Sequence, residues 1–148
     1  MRLRSACLLG VQCTYDDDTN VSADVLALLR NEILIPVCPE QWGGLLTPRE
    51  GSELMGDGAD VLDGEAQVVS ESGKDVTANF IKGAQEVLKL AKLLGIKKAI
   101  LKQESPSCGC GRVCRGPVDG VAEWDGVVAA LLKRNGIAVM LEEDVTDA

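Results

Sequence analysis

Apolar runs of strand length alternate with amphipathic stretches of helical period along this chain, and that alternation limits the fold more than any other feature. Strands separated by helices imply right-handed parallel crossovers, and therefore an α/β fold built on one open, mostly parallel sheet with flanking helices. Three of the runs lead into a cysteine: Met1 to Ala6 into Cys7, Ile33 to Val37 into Cys38, and Ala99 to Lys102, a few residues on, into Cys108. Residues that follow the strands of such a sheet gather along its carboxyl edge, where these folds bind ligands. The three cysteines are therefore expected to meet there. Three thiolates on one edge can hold a four-iron cluster by three corners and leave the fourth iron open as a Lewis acid.

The expected elements follow from local signals. Leu3 to Leu8 reads as the first strand and Gly10 to Asn20 as a polar loop. Ser22 is an N-cap for a helix to Arg30 that buries Val25, Leu26, Leu28 and Leu29. Ile33 to Val37 reads as a strand buried on both faces. Cys38 to Gly64, rich in Gly and Pro, reads as one long functional loop. Gln67 to Ser70 pairs as a short edge strand or hairpin with residues near Glu53 to Met55. Asp75 or Thr77 opens the longest helix, which runs to about Leu94 with Phe80, Ala84, Val87, Leu88, Ala91 and Leu94 on its apolar side and stops at Gly95. Lys97 to Leu101 is the next strand, followed by the Ser105-Pro-Ser-Cys-Gly turn and a loop to Glu123. Gly126 to Arg134 is the last helix, Ile137 to Leu141 closes the sheet, and the acidic tail from Glu142 is expected to fray. One domain over 1–148 is the expected organisation.

Composition excludes several partners. Of 148 residues 46% are hydrophobic and only 3% aromatic, so the core is aliphatic and surfaces for stacking strings of bases are scarce. The net charge of -8, with Lys and Arg scattered, disfavours a nucleic-acid backbone as partner and points to a small ligand. No run has the length of a signal or membrane-spanning segment, so a cytoplasmic location is expected. Six cysteines in a reducing compartment argue for metal or thiol chemistry over disulfides. The chain has no histidine, which excludes Ser-His and Cys-His pairs and His-containing zinc sites.

Two motifs carry the chemistry. In Cys38-Pro39-Glu40 the proline restricts the backbone so that Cys38 and Glu40 project into one loop space, and Glu40 is the candidate for acid/base duty. In Glu104-Ser-Pro-Ser-Cys-Gly-Cys-Gly, Ser105 and Ser107 offer hydroxyls, while Gly109 and Gly111 let the backbone approach a bulky inorganic ligand. Cys108, Cys110 and Cys114 lie close in sequence, and a zinc site or redox pair using two of them is an alternative. Cys13 reads as a packed thiol. The run Asp16 to Asp18 reads as a solvated face, and Arg49 and Lys102 as surface or structural charges that could also meet a substrate oxygen.

Ser5-Ala-Cys-Leu-Leu-Gly-Val-Gln-Cys-Thr-Tyr-Asp, Ile35-Pro-Val-Cys-Pro-Glu-Gln-Trp-Gly-Gly-Leu-Leu-Thr-Pro-Arg, Asp75-Val-Thr-Ala-Asn-Phe-Ile-Lys-Gly-Ala and Ile100-Leu-Lys-Gln-Glu-Ser-Pro-Ser-Cys-Gly together resemble the thiouracil desulfidase family of small bacterial proteins. The resemblance spans almost the whole chain. It implies an oxygen-sensitive [4Fe-4S] cluster on Cys7, Cys38 and Cys108, with Glu40 as catalytic carboxylate and Ser105 as catalytic serine. The implied reaction is non-redox removal of sulfur from 2-thiouracil, 4-thiouracil or a thiolated nucleoside or nucleotide, releasing sulfide. Cys110 and Cys114 depart from the family's usual pattern. The rival readings are a non-catalytic iron-sulfur or sulfide carrier and a zinc or thiol redox protein.

Overall fold

The computed structural model describes residues 1–16, 20–115 and 120–141; Asp17, Asp18 and the tail from Glu142 lie outside them. In chain order the elements are β1 (Arg2–Ser5), α1 (Ala23–Ala27), β2 (Leu34–Val37), α2 (Pro39–Trp42), β3 (Ser52–Leu54), α3 (Gly58–Leu62), β4 (Val68–Ser70), α4 (Thr77–Leu94), β5 (Lys98–Leu101), β6 (Val113–Cys114), β7 (Val121–Ala122), α5 (Val127–Arg134) and β8 (Ala138–Leu141). Short 3-10 turns follow β1 at Ala6–Leu9 and α1 at Leu28–Arg30.

The central sheet is parallel throughout, in the order β2-β1-β5-β8. Alternation along the strands sends side chains to two cores. Leu3, Ala99 and Leu101 pack with Phe80, Ala84 and Val87 of α4 and with Val127, Val128 and Leu132 of α5. Leu34 and Ile100 pack on the other face with Leu8, Val25 and Leu28. Fully burying an aliphatic side chain of this size contributes about 1.5–3 kcal/mol, so these two layers hold the sheet edge in place. The α/β architecture is thus the one the alternation predicts.

Several local expectations change. β1 ends at Ser5 rather than Leu8, because the chain winds at once into the Ala6–Leu9 turn, closed by Gly10 at φ 95° with its N–H on the carbonyls of Ala6 and Cys7. β2 is an edge strand, not one buried on both faces. Ile33 before it is 63% exposed and Pro36 is exposed, a place where a residue without N–H breaks no ladder. Leu29 and Leu94 face outward, whereas Ser22 caps α1 as expected, its Oγ accepting from Val25 N–H at 3.3 Å. The stretch from Cys38 to Gly64 is not one loop, since it carries α2, β3 and α3, elements too short to show periodicity. β3 and β4 form the expected antiparallel hairpin, with Leu54 opposite Val68. The β6–β7 hairpin lies within the stretch read as loop before Glu123.

Candidate functional site

Strand order brings the three strand-end cysteines together, because β2, β1 and β5 are neighbours in the sheet. Adjacent strands lie about 4.8 Å apart, so the segments leaving them open into one space. That space is a cavity of about 1010 Å³ whose lining includes Cys7, Cys13, Cys38, Glu40, Ser105 and Cys108. All six cysteines are free.

Cys7 sits in the turn after β1, buried and reached by the Asn20 side chain. Cys38 is the N-cap residue of α2, with Pro39 in the first turn, where a missing N–H costs nothing. Cys13 lies beside both, its buried thiol in side-chain contact with each sulfur and with one hydrogen to share between them. This arrangement splits the thiols. The Cys13 contact lowers the Cys7 thiol and, with the Gln41 N–H and the Arg49 charge, lowers Cys38 to about 7 against the opposing effect of burial. Cys13 itself is raised by the same two contacts and stays the proton donor. Cys108 is raised chiefly by burial, the hydroxyl of Ser5 opposing, and it lies near enough to Cys7, Cys38 and Glu40 to feel their charges.

The Ser105 to Cys108 turn is held from within and from behind. Ser105 Oγ accepts the N–H groups of Ser107 and Cys108, each at 3.2 Å. The first amides of α5 reach the same turn, Val127 N–H to Pro106 O at 3.0 Å and Val128 N–H to Ser107 O at 2.9 Å. A Cβ on Gly126 would stand 2.4 Å from the Ser107 carbonyl, and one on Gly109 would stand 2.4 Å from the Arg112 carbonyl. Both glycines are required by close approach.

Glu40 projects from α2 with both carboxylate oxygens occupied. Oε1 accepts from Ser107 Oγ at 3.2 Å, and Oε2 accepts from Arg49 Nε at 2.7 Å. Ser107 and Arg49 are the partners that reading the sequence did not assign to Glu40; both stand inside quoted motifs, but nothing local announces a contact across 67 residues. The lining also takes in β3, β4, β6 and the residue after it, including Glu53, Ser70, Cys114 and Arg115. Arg115 pairs with Glu53 at 3.0 Å and lies 4.9 Å over the Trp124 ring.

The alternative trio of Cys108, Cys110 and Cys114 is not brought together. Cys110 lies 4.0 Å from the Val139 carbonyl, contacts Lys133 and is not part of the cavity lining, whereas Cys114 lines the cavity with its backbone N–H on Glu104 O at 2.9 Å. Among the described residues no three Cys, Asp or Glu side chains are arranged to hold a single metal ion.

The donor set fits a larger inorganic group. Free thiols on three neighbouring sheet segments surround a cavity far roomier than one ion needs, and two of them are held below the ordinary thiol range. The fourth, Cys13, is placed to hydrogen-bond and not to open outward.

Residues 3–144 match the family described as 2-thiouracil desulfurase. The uncharacterized protein YbbK of Bacillus subtilis (strain 168) is 40% identical over 149 aligned positions, covering 99% of each chain. The solved structure of TudS, described as a [4Fe-4S]-dependent thiouracil desulfidase, is 41% identical, with a TM-score of 0.84 over 97% of this chain and 91% of that one. By sequence along nearly its whole length and by fold, this chain belongs to the 2-thiouracil desulfurase family.

Proposed function

We propose that this chain, acting as one domain over 1–148, is a [4Fe-4S]-dependent desulfidase that converts thiolated uracil and water into uracil and hydrogen sulfide. The observation that carries the site assignment is the meeting of Cys7, Cys38, Cys108 and the Glu40 carboxylate in one cavity. Cys7, Cys38 and Cys108 hold the cluster as thiolates. The lowered Cys7 and Cys38 thiols favour loading, and metal binding drives deprotonation of the buried Cys108. When bound, the cluster supplies a Lewis-acidic iron for the thiocarbonyl sulfur.

The remaining work falls to the chain. Glu40 accepts a proton from water as that water adds to the ring carbon bearing sulfur. The C–S bond then breaks, the water oxygen stays on the ring carbon as the carbonyl, and the sulfur departs as hydrogen sulfide carrying both protons of the water, one of them returned by Glu40. Ser105 already spends its lone pairs on two backbone N–H groups, so its hydroxyl hydrogen is the group left to orient the pyrimidine oxygen or nitrogen. Ser107 holds the other carboxylate oxygen of Glu40.

Acidic groups around the cavity and a net charge of -8 favour a free base, nucleoside or nucleotide over tRNA. Among the described residues no helix is long and apolar enough to cross a membrane. A cytoplasmic location accords with reduced thiols.

The test is anaerobic reconstitution with iron and sulfide analysis, followed by turnover of 2-thiouracil, 4-thiouracil, 4-thiouridine and its monophosphate. Iron near four per chain with sulfide release is expected, and Cys7→Ser, Cys38→Ser and Cys108→Ser each lose cluster. Cys13→Ser, Cys110→Ser and Cys114→Ser keep it. Iron loss in Cys13→Ser with retention in Cys7→Ser would overturn the ligand set; a stable cluster without turnover would point to a carrier, and a colourless zinc protein to the redox reading.

A further inference from the structure

Arg49 lies in the segment after α2 with its side chain only 9% exposed, and each of its three guanidinium nitrogens is engaged. Nε and Nη2 both meet Glu40 Oε2 at 2.7 Å. Nη2 also donates to the Cys13 carbonyl at 3.0 Å, and Nη1 donates to Leu46 O at 3.2 Å and Thr47 Oγ1 at 2.9 Å. Its backbone N–H donates to Tyr15 O at 2.7 Å. One planar group thus spans the α2 carboxylate and the loop that carries Cys13, whose thiol touches Cys7 and Cys38.

We infer that Arg49 is a positioning residue that locks the Glu40 carboxylate to the Cys13 loop, so that the base and the cluster-binding thiols keep one geometry. The inference rests on the reading of Glu40 as base and Cys7, Cys38 and Cys108 as ligands. The reason for an arginine is geometric. A rigid fork presents donors in several directions at once, whereas a lysine ammonium is a point charge with three donors and cannot hold the carboxylate and the Cys13 carbonyl while also reaching Leu46 O and Thr47 Oγ1. Without Arg49, the Glu40 carboxylate keeps, among the described residues, the 3.2 Å hydrogen bond from Ser107 and is free to swing. The Cys13 loop meanwhile loses the side-chain tie that holds its carbonyl 3.7 Å from Cys38 Sγ. Turnover and iron retention therefore depend on the same side chain.

The experiment compares reconstituted wild type, Arg49→Ala, Arg49→Lys, Glu40→Gln and the Glu40→Gln/Arg49→Ala double variant. It measures kcat and KM for 2-thiouracil, the rate of iron loss to a ferrous chelator, and backbone hydrogen exchange at residues 11–16 in the iron-free protein. In Arg49→Ala, kcat falls about a hundredfold, as for a misplaced catalytic group, with KM little changed. Iron loss quickens about tenfold, the size of one lost charged hydrogen bond, and exchange at 11–16 rises. Added guanidinium restores part of kcat, while Arg49→Lys does not. Removing Arg49 from Glu40→Gln costs no further kcat but still speeds iron loss, since the two residues act on turnover as one unit.

Wild-type kcat in Arg49→Ala, an equal kcat loss with and without the Glu40 carboxylate, or unchanged iron loss overturns the inference. Full activity in Glu40→Gln overturns the base assignment first, and the kcat part of the inference with it. If Arg49→Ala does not fold, Arg49→Gln carries the same comparison.

Discussion

At the scale of single residues, partners decide what each ionisable group does. Cys38 and Cys13 are the same residue type a few ångströms apart, yet one is pulled toward thiolate and the other held as thiol, because one hydrogen cannot serve two sulfurs equally. In iron-free protein, Cys38 alkylation should follow a midpoint of about 7, the thiolate and hence the rate rising with pH through it; in Cys13→Ala that midpoint moves up toward an ordinary thiol. A pH series of iodoacetamide labelling with peptide mapping checks this, and a Cys38 midpoint unchanged by the substitution would disprove the coupling. Arg4 shows the same dependence inside the core. It is fully buried on β1 and lowered to about 10, first by burial, with Glu32 at 3.2 Å opposing that effect. Glu32→Gln leaves that guanidinium without its charge partner and should cost about 3–5 kcal/mol in urea unfolding, as when one member of a buried pair is removed.

At the scale of elements, α2 is too short to hold itself and is set by α4. Asn79 Nδ2 donates to Gly43 O at 2.9 Å, and a Cβ on Gly83 would stand 1.9 Å from the Pro39 carbonyl. Two backbones touch there, and no side-chain rotation relieves the clash. Gly83→Ala should therefore destabilise by about 1–3 kcal/mol and displace Cys38 and Glu40 together, seen as lower urea resistance with impaired cluster loading. Leu93→Ala on the exposed side of the same helix, 80% exposed, should change stability by less than about 0.5 kcal/mol and leave loading intact. Equal effects from the two substitutions would remove α4 as the support of α2.

For the whole molecule, three cysteines from distant segments line one cavity, and on the proposed ligand set the cluster is a ligand that only the folded chain can hold. Anaerobic melting should show the reconstituted protein more stable than the iron-free one, and chelation should return it to the lower Tm. Identical melting curves with full iron content would place the iron outside this site. How much of this was legible beforehand differs by level. The Ser22 cap, the Gly95 stop and the apolar spacing of Phe80, Ala84, Val87 and Ala91 are local, and the elements they predict are present. Pairing of Glu53 to Met55 with Gln67 to Ser70 was also legible, although α3 stands between the two short runs. The edge position of β2, the turn at Cys7 and the short helices α2 and α3 were not, since each is settled by neighbours and not by periodicity.

The amino-acid order alone determined that strands and helices alternate, that cysteines follow three of the strands, and that a carboxylate stands two residues beyond one of them. Those are properties of adjacent residues, carried by spacing and backbone preference. Only the tertiary structure decided that β2, β1 and β5 lie side by side, that Cys13 stands beside Cys7 and Cys38, and that Arg49 and Ser107 grip Glu40. Strand order and loop contacts arise from packing between segments far apart in the chain, and no local pattern encodes which of them will touch.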